Sequence, residues 1–206
     1  MIFVLAFLGF AILHSILASR VVKRNIIGIF PQMRWYYRLL YNVIAVLTLA
    51  VVWFAAPVES HMLYKVEPPL QFGLHLIQIG ALAGLWVSVR HAGTSSFLGL
   101  RQLRDARQGI ADYDLDEPAT GQLVVRGPFR YVRHPLYVFS IVILVAHPVM
   151  TLKWALFTFC CVIYFVAGSW FEERRLLARY GRTYEDYRKR VPAFIPYKRY
   201  QYTSDG

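Results

Sequence analysis

Charge is scarce in this chain. Asp, Glu, Lys and Arg make up only 17% of its 206 residues, while 57% are hydrophobic. An ordinary soluble domain carries more charge. Cysteine is scarcer still: two residues, Cys160 and Cys161, adjacent and inside an apolar run. That argues against a disulfide framework or a cysteine metal site and leaves two small buried side chains. Acidic residues number 12 against 23 Lys and Arg. No segment is low in complexity and no long repeat is evident. The first apolar run also lacks a basic segment ahead of it. Its Lys/Arg cluster follows, as in a stop-transfer signal, which argues for a retained helix over a cleaved leader.

What the chain has is long uncharged runs: Met1–Ser19, Leu39–Pro57, Pro68–Val89, Leu136–Val149 and Trp154–Phe171. Runs near 20 residues match a hydrocarbon layer of about 30 Å. The expected fold is an all-α integral membrane protein with about five transmembrane helices, at about 1–19, 39–57, 68–89, 135–149 and 151–173, in one domain over residues 1–206. The loop 90–133 and the tail 174–206 fall outside the bilayer. Arg20, Lys23, Arg24, Arg34 and Arg38 crowd the first loop, and Arg90, Arg101, Arg104, Arg107, Arg126, Arg130 and Arg133 the third. The positive-inside rule then puts these loops and the basic tail in the cytoplasm, with the N-terminus outside the cell inner membrane. The net charge of +11 is the mark of loops beside anionic lipid and requires no nucleic-acid partner.

Two places depart from plain spanning helices. The loop holds "GLRQLRDARQG", which can be helical, then "DYDLDEPATGQ", a turn or loop broken by Pro118 and Gly121, then "GQLVVRGPF", a short extended piece. This loop is a candidate cytosolic lid. The second place is the fourth run. Leu136–Val149 has 14 residues, about 21 Å of helix and short for a span. The turn "AHPVMT" joins it to the fifth run as a hairpin. Arg133, His134 and Pro135 are therefore expected at or below headgroup depth, where polar groups need partners or a cavity.

The fifth run leaves the membrane at "WFEERRLLARYGRTYEDYRKRVPAFIP". Leu176, Leu177 and Tyr180 share a helical face, and Tyr184 and Tyr187 extend it past Gly181. This predicts an amphipathic helix over the cytosolic ends. A hairpin brings its two legs back to one side. The candidate site is thus Arg133, His134 and Tyr137 with Glu172, Glu173 and Arg174. Each has a plainer reading: a structural histidine, a solvated Glu-Glu-Arg-Arg face, a tyrosine anchor, packing tyrosines.

The order "RHPLY" (Arg133–Tyr137), then "EERRLLARYGRTYEDYRKRVPAFIP" (Glu172–Pro196), resembles the isoprenylcysteine carboxyl methyltransferase superfamily of integral-membrane methyltransferases. "HSILASRVVKR", "YRLLYN", "FLGLRQL" and "HPVMT" are similar to its branch of methanethiol S-methyltransferases and NnrU-like proteins, though Asp105–Gln122 departs from the methanethiol enzymes. The resemblance implies S-adenosyl-L-methionine as methyl donor. It implies a cofactor site of His134, Tyr137, Glu172 and Glu173, with Gly127 and Pro128 where the chain turns into the pocket. Glutamates suit the donor's ammonium, and direct displacement at its methyl carbon asks for alignment and no metal.

The acceptor implied is a small apolar thiol such as methanethiol, giving dimethyl sulfide, or else a lipid or prenylated-cysteine carboxyl. A thiol needs help to lose its proton. Arg133 and Arg174 are candidates to stabilise a thiolate, and His14 a candidate base. A different class, a haem-binding protein like the carotene isomerase related to NnrU, would use His14, His75, His91 or His147. Gly80 and Gly84 form a GxxxG, readable as a protomer interface or as packing within the chain.

Overall fold

A computed structural model of the chain describes residues 2–55, 61–109 and 122–197. Most of the loop piece "DYDLDEPATGQ" and the last residues of the tail lie outside them. The described residues fall into two compact units, which interleave in sequence.

The first unit takes its residues from Met1–Ser60 and Gly93–Gly121. Helix α1 (Ile2–Ala18) is apolar on every side and α2 (Arg20–Ile29) is basic and amphipathic. Ser19 between them is extended, at φ −67° and ψ 136°, and the axes bend by 65° there. The bend turns the polar helix away from the direction of the apolar one. Helix α3 (Met33–Ala55) packs along α1, with the Tyr37 hydroxyl donating to Leu17 O at 2.7 Å. Two short helices, α4 (Thr94–Leu98) and α5 (Leu100–Arg107), close on α3. Gly99 joins them at φ +87°, and a Cβ there would lie 2.8 Å from Leu39 N, so only glycine fits. Arg38 Nε and Asn42 Nδ2 both donate to Phe97 O, at 3.2 and 3.0 Å. The segments "YRLLYN" and "FLGLRQL", far apart in sequence, thus meet.

The second unit holds His61–Ala92 and Gln122–Gly206. Its helices are α6 (Leu70–Ala92), α7 (Pro135–Val145), α8 (Leu152–Tyr180) and α9 (Arg182–Arg190), with a 3-10 turn at Gly127–Arg130. Helix α7 lies against α6, where Gly84 gives up its side chain to the ring of Phe139. Within the unit Gly84 therefore serves packing inside the chain, while Gly80 is exposed with nothing near its Cβ position.

Helix α7 has 11 residues, about 16 Å, and stops short of a full span. Its last carbonyls cannot bond within the helix and need other donors. Gln78 Nε2 supplies Ile143 O at 3.0 Å, and Trp154 Nε1 supplies Leu144 O at 2.8 Å. Strand β1 (Met62–Lys65) then pairs antiparallel with β2 (Val149–Thr151), Met62 opposite Thr151 and Lys65 opposite Val149. This sheet stands where a bare turn was expected. The Thr151 side chain caps α8 by accepting from Trp154 N at 3.2 Å.

Helices α3, α6 and α8 are each long and apolar enough to cross a membrane, and the bent α1–α2 pair counts as a fourth if taken as one span. Their outward faces carry large bare side chains such as Phe54, Val46 and Leu76. In water such faces would be unstable; against lipid they are the expected surface. The chain is a helical membrane protein, and the fourth apolar run of the sequence is the short α7.

Candidate functional site

The site lies in the second unit, where the start of α7 meets the upper part of α8. Pro135 opens α7. Proline is favoured at a first helical position because it needs no N–H, and it keeps the residue before it out of helical geometry. His134 is that residue, at φ −121° and ψ 59°. It is released from the helix, and its side chain is only 2% exposed.

Glu172 and Glu173 are consecutive on α8, so their side chains leave the axis about 100° apart. That angle lets the pair bracket one imidazole. His134 Nε2 lies 3.0 Å from Glu173 Oε1, and Nδ1 lies 3.5 Å from Glu172 Oε2. The Tyr137 hydroxyl, one turn into α7, donates to the same Glu172 Oε2 at 2.9 Å.

Arg133 completes the group by holding Glu173. Its Nε and Nη2 donate to Glu173 Oε1 at 2.8 and 2.6 Å. Its Nη1 donates to Arg188 O at 3.1 Å and Val191 O at 2.5 Å. The pair is largely withdrawn from solvent, at 11% and 15% side-chain exposure, where a forked charged contact is strong. Glu173 Oε2 makes no hydrogen bond among the described residues, and Glu172 stays 39% exposed.

The chain after α9 straps this group. Arg133 N donates to Pro192 O and His134 N to Ala193 O, at 2.9 and 3.2 Å. Gly181, at φ +53°, ends α8 and turns the chain into α9. Tyr184, Tyr187 and Val191 of this region are buried together with Leu123, Val125, Leu176 and Tyr180 around them. Burial pushes the Tyr184 and Tyr187 hydroxyls well above the usual phenol range, helped at Tyr184 by the Glu173 carboxylate and at Tyr187 by Tyr184. They stay protonated, and Tyr187 donates to Phe129 O at 2.6 Å. Four rings follow one another through the site. His134 lies between Phe194 and Tyr137, at 5.6 and 5.5 Å, and Tyr137 stacks on Phe165 at 5.1 Å.

The structure thus brings together Arg133, His134, Tyr137, Glu172 and Glu173. Gly127 and Pro128 sit in the 3-10 turn ahead of them, and Gly127, at φ +57°, leaves the room that the His91 ring takes. Arg174 goes elsewhere: it is exposed on α8, its guanidinium 4.4 Å from the Trp170 ring centroid. His14 belongs to the first unit, hydrogen-bonded to Tyr41 and stacked on Phe10. The three other histidines considered as haem ligands are engaged locally: His75 with Gln78, His91 with Val87 O, His147 with Val149 O. Among the described residues no three of His, Cys, Asp and Glu gather as a metal site. The reading of the residues missed Phe165, Phe194 and the carbonyls of Arg188, Val191, Pro192 and Ala193. Only the "VPAFIP" ending hinted at the last group.

Comparison with known proteins gives the context. A family model described as phospholipid methyltransferase matches residues 73–183. The chain is 33% identical over 191 residues to methanethiol S-methyltransferase 2 of Bradyrhizobium diazoefficiens, covering 91% of this chain and 69% of that protein. It is 31% identical over 197 residues to the methanethiol S-methyltransferase of Mycobacterium tuberculosis, covering 91% and 74%. A shorter match, 39% over 69 residues, links 34% of it to 27% of the methanethiol S-methyltransferase of Crocosphaera subtropica. No solved structure matches significantly.

Proposed function

Since the chain belongs to the phospholipid methyltransferase family and is a membrane methyltransferase, we propose that it moves the methyl group of S-adenosyl-L-methionine to a small apolar thiol, methanethiol, giving dimethyl sulfide. The observation that carries the proposal is the Glu172–Glu173 pair bracketing His134. Two carboxylates fixed beside aromatic faces make a site for a compact organic cation.

The residues fit the donor. Its ammonium needs a carboxylate, and Glu173 offers Oε2, which bonds nothing among the described residues. Its sulfonium and purine suit an aromatic face, and Phe194 at the end of the ring row beside His134 offers one. When bound, the donor supplies a methyl carbon already activated by the positive sulfur. The protein's part is orientation and exclusion of water.

Arg133 was expected to contact a thiolate. With four of its five N–H groups engaged by Glu173, Arg188 O and Val191 O, its role here is to aim Glu173. Gly127 and Pro128 shape the turn that leads in. His14 is engaged by Tyr41 and Phe10 within the first unit and Arg174 by Trp170, and the proposal gives neither a role toward the donor.

The charge pattern supports an inner-membrane orientation with the N-terminus outside and the site facing the cytoplasm. In that orientation α7 would complete five membrane segments as a short, capped helix. The acceptor enters from lipid, into which methanethiol partitions readily. The relatives named for methanethiol support the acceptor, since they match over nine-tenths of this chain.

The test is a calorimetric titration of S-adenosyl-L-methionine into detergent-purified protein, followed by gas-phase detection of dimethyl sulfide from methanethiol. Saturable binding that Glu173→Ala abolishes is the expected result. Equal affinity in wild type and variant would sink the assignment of Glu173.

A further inference from the structure

A thiol acceptor has to lose a proton, and three residues of the second unit point to where it goes. Tyr137 donates its one hydroxyl proton to Glu172 Oε2 at 2.9 Å. A phenol oxygen so engaged keeps lone pairs for accepting. On α8, Gly168 lies four residues before Glu172 and three after Phe165, on the same helix face. A Cβ added at Gly168 would find only Tyr137 Oη within 4 Å, at 3.9 Å. A methyl-sized group at that position would thus be in ordinary contact with the hydroxyl and would meet no other neighbouring group within 4 Å. The stacked rings of Tyr137 and Phe165, 12° from parallel, form the apolar side of this space. Aromatic rings are good neighbours for sulfur.

We propose that the acceptor thiol docks against Gly168 with its S–H on Tyr137 Oη, and that Tyr137 relays the proton to Glu172. The proposal rests on the methyltransferase reading of the same site. It makes Tyr137 the catalytic residue that touches the acceptor, Glu172 the terminal proton acceptor behind it, and Gly168 the residue that sets acceptor size.

The step balances. The S–H bond breaks and its proton joins Tyr137 Oη as Tyr137's own proton passes to Glu172, which ends as a neutral acid. A sulfur lone pair forms the new bond to the methyl carbon. The donor's bond to that carbon breaks, its electron pair stays on the donor sulfur, and one positive and one negative charge disappear together. A carboxylate is too weak to deprotonate a free thiol outright, by about four pKa units for a cysteine thiol and by more for a simple alkanethiol. A sulfur already sharing its lone pair with the methyl carbon releases its proton far more easily, so the transfer accompanies the attack. The charged and titratable groups facing Glu172 are His134 and Tyr137 from the start of α7, Arg175 on α8 and Tyr184 from α9. Glu173 and Arg133 stand beside them.

Tyr137→Phe keeps the rings stacked and removes the relay. Its affinity for S-adenosyl-L-methionine, read by calorimetry, is expected to stay within about threefold of wild type. Its kcat for methanethiol at pH 7 is expected to fall about 100-fold. That deficit should shrink toward pH 10, where the thiol ionises unaided. Gly168→Ala should also keep its cofactor affinity, while its kcat/KM for butanethiol falls at least about tenfold further than for methanethiol. A Tyr137→Phe deficit that is constant with pH, a loss of cofactor affinity in that variant, or equal losses for both thiols in Gly168→Ala would overturn the proposal. Wild-type protein without cofactor affinity would remove the reading beneath it, a result recognisably different from these.

Discussion

The ring of Phe139 occupies the place where Gly84 would carry a side chain: a Cβ there would come within 2.4 Å of the ring. The contact is what lets α7 lie against α6, and α7 is the helix that presents His134 and Tyr137. Gly84→Ala should force the ring or the helix to shift and cost about 1–3 kcal/mol, as overpacking does. Thermal unfolding in detergent reads that loss. Gly80→Ala, on the exposed side of the same helix, should leave the midpoint unchanged.

Gly127 needs its missing side chain for two separate reasons. Its φ of +57° disfavours any other residue, and the His91 ring lies 2.7 Å from the Cβ position. Gly127→Ala should cost at least about 1–2 kcal/mol from the backbone term alone. Adding His91→Ala should recover the steric part and leave the backbone part. A double variant as stable as wild type would show that the φ term was misjudged.

Arg133→Lys keeps the charge and loses the fork. A lysine cannot hold Glu173 through two nitrogens while tying down Arg188 O and Val191 O. The expected outcome is at least about a tenfold loss of cofactor affinity together with faster proteolysis near Val191. Calorimetry and limited digestion check the two halves separately.

Gln78→Leu removes the donor for Ile143 O at the end of α7. A carbonyl left unpaired in an apolar setting destabilises by about 1–3 kcal/mol. Trp154→Phe does the same for Leu144 O. Both variants should unfold earlier in a detergent titration, and hydrogen exchange should rise at the β1–β2 pair first.

Much of this was legible in the residues. Long uncharged runs mark α1, α3, α6 and α8 because a helix against lipid needs apolar groups on every exposed side. The convergence of the candidate site was legible because Arg133-His134-Pro135 and Glu172-Glu173 are costly to place at a membrane boundary without partners. Other features carried no local signal. Strand β1 has four residues, all exposed, and no alternation. The caps on α7 come from Gln78 and Trp154, which look like ordinary members of their own helices. Helix α8 carries the expected helical face of Leu176, Leu177 and Tyr180 without a break from the membrane segment, and the side chains that cover it, Tyr184, Tyr187 and Val191, come from beyond its end. That contact exists only once the chain has turned at Gly181. The placement of Arg174 on Trp170 is likewise a matter of which way a helix faces, and the Glu-Glu-Arg-Arg run alone does not say.

Helix α8 also works as a ruler. Glu172 lies twenty residues beyond Leu152 on one unbroken helix, about 30 Å along its axis. That is the thickness of a typical hydrocarbon layer. The distance from the carboxylate pair to the sheet and the cap at Thr151 is therefore set by one rigid helical length. In a thicker bilayer the two carboxylates sink toward the acyl chains, and in a thinner one they rise into water. The lipid around the protein thus becomes a dial on how far the carboxylate pair stands from the acyl chains.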